Sequence, residues 1–213
     1  MSGAPPERPL GREGFTHLFP VSRETLACLE AHLALLERWQ RRIELVGRST
    51  LADPWRRHLL DSAQLRPLIP EGARRLVDLG SGAGFPGLVL AILGVPEVHL
   101  IEADRRKAAF LREAARVTGC RNVVVHARRI EELDPFPADV VTARAFAPLD
   151  RLLACARRFW RPGTLGLFLK GRGVERELTA AREHWRMRTE LRPSLSSPEG
   201  RILLVHELEP IDG

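Results

Sequence analysis

Residues 76–84 read Leu-Val-Asp-Leu-Gly-Ser-Gly-Ala-Gly, an apolar run that carries one acid, Asp78, into three alternating glycines, Gly80, Gly82 and Gly84. Glycine opens backbone angles closed to other residues and lets a ligand approach the main chain. A second acid, Glu102, closes the next apolar run, Val98-His-Leu-Ile-Glu102, where a carboxylate can bind a ribose diol. The pattern points to an adenosine-type cofactor over the carboxyl ends of a parallel sheet, with Asp78, Gly80, Gly82 and Glu102 as candidate contacts.

Two registers fit the glycines. Gly82-Ala-Gly84-Phe-Pro-Gly87 spells G-x-G-x-x-G, the dinucleotide fingerprint. Gly80-Ser-Gly82-Ala-Gly84 led by Asp78 spells D-x-G-x-G-x-G, which suits S-adenosylmethionine. The acid separates the two, because a carboxylate repels a pyrophosphate. It attracts the ammonium and sulfonium of S-adenosylmethionine, as a field or through a water. S-adenosylmethionine is therefore favoured over an NAD-dependent reductase. The chain also has no tyrosine for the Tyr/Lys dyad of short-chain reductases. After the run Asn122–Ala127, Glu131 falls where a loop can accept a hydrogen bond from the adenine amino group, with the backbone of Ile130 beside it. Glu131-Glu132 also reads as an exposed helix start.

The elements that must hold these residues follow from periodicity. Ser22 can cap a helix whose Leu26, Leu29, Leu33, Leu36, Trp39 and Ile43 recur at three- and four-residue steps. Asp53-Pro54 starts a second helix carrying Trp55-Arg-Arg-His-Leu-Leu-Asp-Ser62. There Arg57 and Asp61, four apart, form an ordinary surface pair or a functional one, and His58 shares their face. Pro67 and Pro70-Glu-Gly72 break the chain. The reading is a floppy lead over 1–20, a helical segment over 21–70 and a sheet domain over 71–213. Strands are expected at 74–79, 98–103, 122–127, 138–143 and 163–170, with helices near 86–94, 105–118 and 148–160. Such alternation predicts a mostly parallel sheet covered on both faces. Two alternating runs, Trp185 to Leu191 and Ile202 to Leu208, predict a terminal antiparallel hairpin. The fold class is α/β, Rossmann-like, of the class I S-adenosylmethionine-dependent methyltransferase type, with an N-terminal helical segment.

Composition narrows the setting. A chain of 213 residues suits one proper core. It has no apolar run long enough for a membrane span and no apolar signal core at its start, and its three scattered cysteines fit a reducing cytoplasm, so a cytoplasmic protein is expected. Cys28, Cys120 and Cys155 are scattered and lack C-x-x-C spacing, which disfavours a disulfide framework or a zinc site. Net charge is +6, and only Lys107 and Lys170 among the 33 cations are lysines. The arginines read as a solvated basic face or as a surface for a polyanion.

The fourth strand speaks to the acceptor. Exocyclic-amine methyltransferases usually place an Asp/Asn-Pro-Pro-aromatic turn there, and this chain has Thr142-Ala-Arg-Ala-Phe-Ala-Pro148. Cys155, within Leu152-Leu-Ala-Cys-Ala, reads as core rather than as a nucleophile. A heteroaromatic nitrogen with an in-plane lone pair is the simplest acceptor left. Arg57-His-Leu-Leu-Asp-Ser62, Gly80-Ser-Gly-Ala-Gly-Phe-Pro-Gly87, Arg144-Ala-Phe-Ala147 and Lys170-Gly171 occur in this order. From about Leu26 to Leu208 the chain resembles the RsmG (GidB) family of small-subunit ribosomal RNA guanine-N7 methyltransferases. The resemblance implies methylation of one guanosine in the decoding-region loop of 16S rRNA, with 16S rRNA or the small ribosomal subunit as partner. It also implies that Gly80, Phe85, Ile130-Glu131 and Arg144 contact the cofactor. The chain departs from the family at Glu44-Leu45-Val46, where Asn-Leu-Thr or Asn-Leu-Val is usual, and at Arg201-Ile202, where Arg-His is frequent.

Guanine N7 has no proton to lose, so such a reaction needs alignment and no general base. An arginine gripping guanine by the usual O6/N7 fork would cover the nucleophile. Arg144 is therefore expected on O6, a phosphate or the methionine carboxylate, or else paired with a structural carboxylate. If their helix covers the cofactor mouth, His58 or Asp61 would orient the base; otherwise His58 makes a structural hydrogen bond. Arg57, Arg129 and Lys170 are the RNA-backbone candidates, and Phe146 reads as a guanine platform or as core. A monomer is expected. The alternative to an enzyme is a non-catalytic S-adenosylmethionine-binding ribosome-assembly factor.

Overall fold

A computed structural model describes residues 9–211. Of the expected lead, residues 1–8 lie outside the described residues, and Gly11–Leu18 form a helix, α1. This part is not loose. Phe15 is fully buried with its ring 5.5 Å from that of Trp55, and the Leu10 N–H is held by the Asp53 carboxylate.

Ser22 caps α2 (Arg23–Gln40), its Oγ accepting from the Thr25 N–H at 3.2 Å. The helix stops three residues short of Ile43 because the Gln40 side chain captures the following turn. Its Oε1 accepts from the Leu45 and Val46 N–H groups, and its Nε2 donates to the Val46 carbonyl. At the second start signal, Asp53 accepts from the Arg56 N–H. The chain then winds into a π-helical turn over Trp55–Leu60, and only afterwards into the short α3 (Asp61–Ala63). Wider turns of this kind are rare and shift which side chains face one another. The spacing expected of an α-helix is lost here.

The sheet elements are β1 (Arg75–Leu79), β2 (Glu97–Ile101), β3 (Val123–His126), β4 (Val140–Arg144), β5 (Leu165–Lys170), β6 (Trp185–Pro193) and β7 (Arg201–Pro210). Their order is β3-β2-β1-β4-β5-β7-β6. The first five are parallel, and β7 and β6 add as an antiparallel hairpin. The connecting helices α4 (Gly87–Ile92), α5 (Arg105–Val117) and α6 (Leu149–Arg157) fall where the alternation places them. A further helix, α7 (Val174–Ala181), was not anticipated, although its buried Val174, Leu178 and Ala181 keep helical spacing.

Side chains alternate across the strands into two apolar layers. Leu76, Leu100, Val140 and Leu167 pack with α2, α4, α5 and the 59–69 stretch, so the helical segment and the sheet share one core. Val77, Val141, Phe168 and Leu203 pack with α6 and α7 on the other face. Cys155 is buried in that second layer. No helix among the described residues is long and apolar enough to cross a membrane.

Candidate active site

The chain leaves β1 outward through β2 and β3, then returns to β4 on the other side of β1. Open α/β sheets bind ligands outside the carboxyl ends of the strands at such a reversal. A cleft of about 740 Å³ lies there, within the range of small-molecule sites. The carboxyl ends of β1, β2, β4 and β5 and the loops after them contribute Gly80, Gly82, Phe85, Glu102, Arg144, Ala145 and Lys170. The helical segment supplies Leu45, Val46, Arg57, His58 and Asp61, and the β6–β7 loop closes the far side.

The glycine loop is shaped by tight contacts. Gly80 has φ +64°, and a β-carbon there would sit 2.5 Å from Cδ2 of Phe146. Phe146 thus packs against main chain and does not line this cleft. At Gly87 a β-carbon would meet Leu100 at 2.4 Å and the Asp78 carboxylate at 2.8 Å, so the last glycine of G-x-G-x-x-G serves helix–strand packing. Glu102 pins the loop, one oxygen accepting from the Gly82 N–H and the other from the Asp104 N–H, each at 2.8 Å.

Asp78 is fully buried beneath the loop and does not line the cleft. Thr142, its register partner on β4, donates to Oδ1 at 2.7 Å, while Oδ2 has no partner. Burial pushes its pKa up to about 6. A buried acid beneath the loop, its Oδ2 beside the Gly87 backbone, sets a negative field that suits a cationic ligand above it and opposes a diphosphate. The residues therefore fit S-adenosylmethionine, with Gly80, Gly82, Phe85 and Glu102 on the cleft surface. Ile130 is buried in the second apolar layer, and Glu131 and Arg129 are exposed; none of the three lines the cleft.

At the mouth, Arg144 Nη1 donates to the Arg57 carbonyl and to His58 Nδ1, each at 3.0 Å, and lies 3.5 Å from Asp61 Oδ2. Its guanidinium carbon sits 5.0 Å from the Phe85 ring centre. The expected Arg57–Asp61 pair does not form, since the π-turn leaves Arg57 exposed and hands Asp61 to Arg144. Asp61 Oδ1 also accepts from Ser196 and Gln64, and Gln64 binds Ser194 and the Leu195 N–H. This knot ties the hairpin loop to the helical segment. Sequence reasoning missed it, because Ser196 is 135 residues from Asp61 and no local signal joins them.

His58 is buried and receives Arg144 on Nδ1, so Nε2 carries the proton and donates to Thr50 Oγ1 at 2.9 Å. Burial, Arg144 and Arg57 drive its pKa down to about 3, which keeps it neutral. Lys170 does not offer a free cation. Its ammonium pairs with Glu177 at 2.6 Å and is largely enclosed. Arg57 and Lys107 line the cleft with no ion-pair partner among the described residues. Glu44 is exposed outside the cleft, and Ile202 is core, so neither departure from the family pattern touches the site.

The GidB family profile, described as rRNA small subunit methyltransferase G, matches residues 25–201. The chain belongs to this family. A ribosomal RNA small subunit methyltransferase G from Rhodospirillum rubrum is 62% identical over 196 residues, covering 92% of this chain and 97% of the relative. The protein of the same description from Parvibaculum lavamentivorans is 51% identical over 100% of this chain and 96% of its own length. Among solved structures, a putative O-methyltransferase from Klebsiella pneumoniae aligns with a TM-score of 0.58 at 17% identity, over 93% of this chain and 96% of that one. A SAM-dependent methyltransferase from Aquifex aeolicus aligns at 0.57 and 18% identity, over 74% and 95% respectively. These last two likenesses establish the fold. As a member of the family the chain is an rRNA methyltransferase, with S-adenosylmethionine as methyl donor.

Proposed function

We propose that the acceptor is N7 of a guanosine in 16S rRNA. One observation carries this reading: the two side chains at the cleft mouth best placed to take a proton, His58 and Asp61, are already committed to other partners. His58 accepts from Arg144 on its one bare nitrogen, and Asp61 holds Arg144, Ser196 and Gln64. Neither of these two groups stands idle as a general base, and N7 is a nucleophile that needs none. When bound, S-adenosylmethionine supplies a methyl carbon on sulfonium that a ring nitrogen takes by direct displacement, with no covalent intermediate on the protein.

The protein's share is placement. Asp78 sets a negative field under the loop, Glu102 fixes the Gly82 amide, and Phe85 forms part of the wall. Arg144 is held through Nη1, and its remaining donors serve O6, a phosphate or the methionine carboxylate, leaving N7 bare. Arg57 and Lys107 supply unpaired charge for the RNA backbone. The test offers labelled S-adenosylmethionine with protein-free 16S rRNA, 30S particles and small metabolites, followed by mass mapping of the modified nucleoside. Label on guanine N7 of 16S rRNA is expected. Label only in a metabolite, on an exocyclic amine, or on no substrate overturns the assignment.

A further inference from the structure

His32, on α2, is fully buried and lies outside the cleft, and none of the chemistry above uses it. Its Nε2 sits 2.8 Å from the carbonyl oxygen of Ala83, in the middle of the glycine loop. A carbonyl only accepts, so Nε2 carries the proton and Nδ1 is the bare nitrogen. That Nδ1 has no hydrogen-bond partner. The ring also stacks on Phe85 at 4.8 Å, and Phe85 stacks on His58 at 4.7 Å. Loop and imidazole approach closely: a β-carbon on Gly84 would lie 3.4 Å from His32 Cε1.

An imidazole with one idle nitrogen is a poor filler for a dry site. Phenylalanine would fill similar space without an idle ring nitrogen, but it would leave the buried Ala83 carbonyl without a donor. Holding the Ala83 carbonyl is what the imidazole does and a phenyl ring cannot. Ala83 and its neighbours Gly82 and Phe85 front the cleft, whereas His32 grips them from behind. The helical segment thereby reaches the cofactor loop through one side chain, 51 residues away in sequence.

We propose that His32 is a positioning residue for S-adenosylmethionine, acting through the Ala83 carbonyl to fix the loop that receives it. This rests on the reading of the cleft as the S-adenosylmethionine site. The burial that isolates Nδ1 also lowers the pKa to about 4, so the neutral, single-donor form persists at working pH.

Two substitutions separate the donor from the ring. His32→Phe keeps the aromatic face and removes the N–H; His32→Gln keeps a donor at similar reach and removes the face. Leu26→Ala, in the same helix and core, gives a destabilised control. Calorimetric titration with S-adenosylmethionine should show about ten-fold weaker binding for His32→Phe (about 1.4 kcal/mol). His32→Gln should stay within about three-fold of wild type by the same measure. Amide hydrogen exchange of the ligand-free protein should rise at residues 82–85 in His32→Phe and not in Leu26→Ala. Wild-type affinity in His32→Phe, or equal losses in His32→Phe and His32→Gln, overturns the carbonyl anchor while leaving the cofactor site intact. Failure of the wild type to bind removes the cofactor reading itself.

Discussion

Replacing Asp78 by asparagine separates the charge at that position from its shape. The carboxylate is fully enclosed, with Thr142 donating to Oδ1 and nothing on Oδ2. Burial raises its pKa from 3.8 to about 6. In the folded protein Asp78 therefore keeps its proton to a higher pH than in the unfolded chain. Its contribution to stability is fully present below the unfolded value and is lost as pH rises through the folded one. The complete loss is about 3 kcal/mol, of which about 1.4 kcal/mol falls between about pH 5 and about pH 7.5. Asparagine has no charge to bury, and Oδ1 still accepts from Thr142. Any fixed cost of fitting the amide cancels when one variant is compared at two pH values. Urea unfolding of ligand-free wild type and Asp78→Asn should show their gap moving by about 1.4 kcal/mol in the variant's favour over that interval, or about 3–6 °C in Tm. Binding should move the other way. A cationic donor favours the ionised acid, so wild-type affinity for S-adenosylmethionine rises as pH climbs through about 6, and Asp78→Asn binds about ten-fold more weakly without that rise. A stability gap independent of pH, together with unchanged affinity, would refute the reasoning.

Other substitutions test the neighbouring contacts. Gly80→Ala puts a β-carbon 2.5 Å from Phe146 at φ +64°, so it should cost about 1–3 kcal/mol in unfolding and at least about ten-fold in cofactor affinity; wild-type behaviour in both measurements would contradict the packing. Glu102→Gln sets an amide N–H against a backbone N–H, because both oxygens now accept. S-adenosylmethionine should then bind about ten-fold more weakly by calorimetry, and equal affinity would count against the loop-pinning role. For RNA, Arg57→Ala should lower the slope of log affinity against log salt by about 1, whereas Lys170→Met should leave it unchanged because Glu177 neutralises that ammonium. Filter binding across a salt series measures both, and a drop for Lys170→Met would show that the ion pair opens on RNA.

Much of this protein was legible as residue order. The glycine spacing, the acids at the ends of β1 and β2, and the strand–helix alternation depend on local backbone preference and short-range periodicity, which sequence carries directly. The Ser22 cap and the C-terminal hairpin are equally local. Misreadings arose where a side chain was assigned by spacing alone. Arg57 and Asp61 stand four apart, yet the π-turn parts them; Lys170 ends a strand on the ligand side, yet Glu177 of α7 claims it.

Sequence by itself therefore determined the class of fold, the cofactor loop and the family, since those rest on short local patterns and on their order along the chain. Tertiary structure decided which polar groups meet. Asp78 finds Thr142 only through the β1–β4 register, Asp61 finds Ser196 only when the hairpin loop folds back, and His32 reaches Ala83 only when α2 seats on the sheet. A buried polar atom must take a partner from whatever the closed fold brings beside it, and no window of sequence contains that choice.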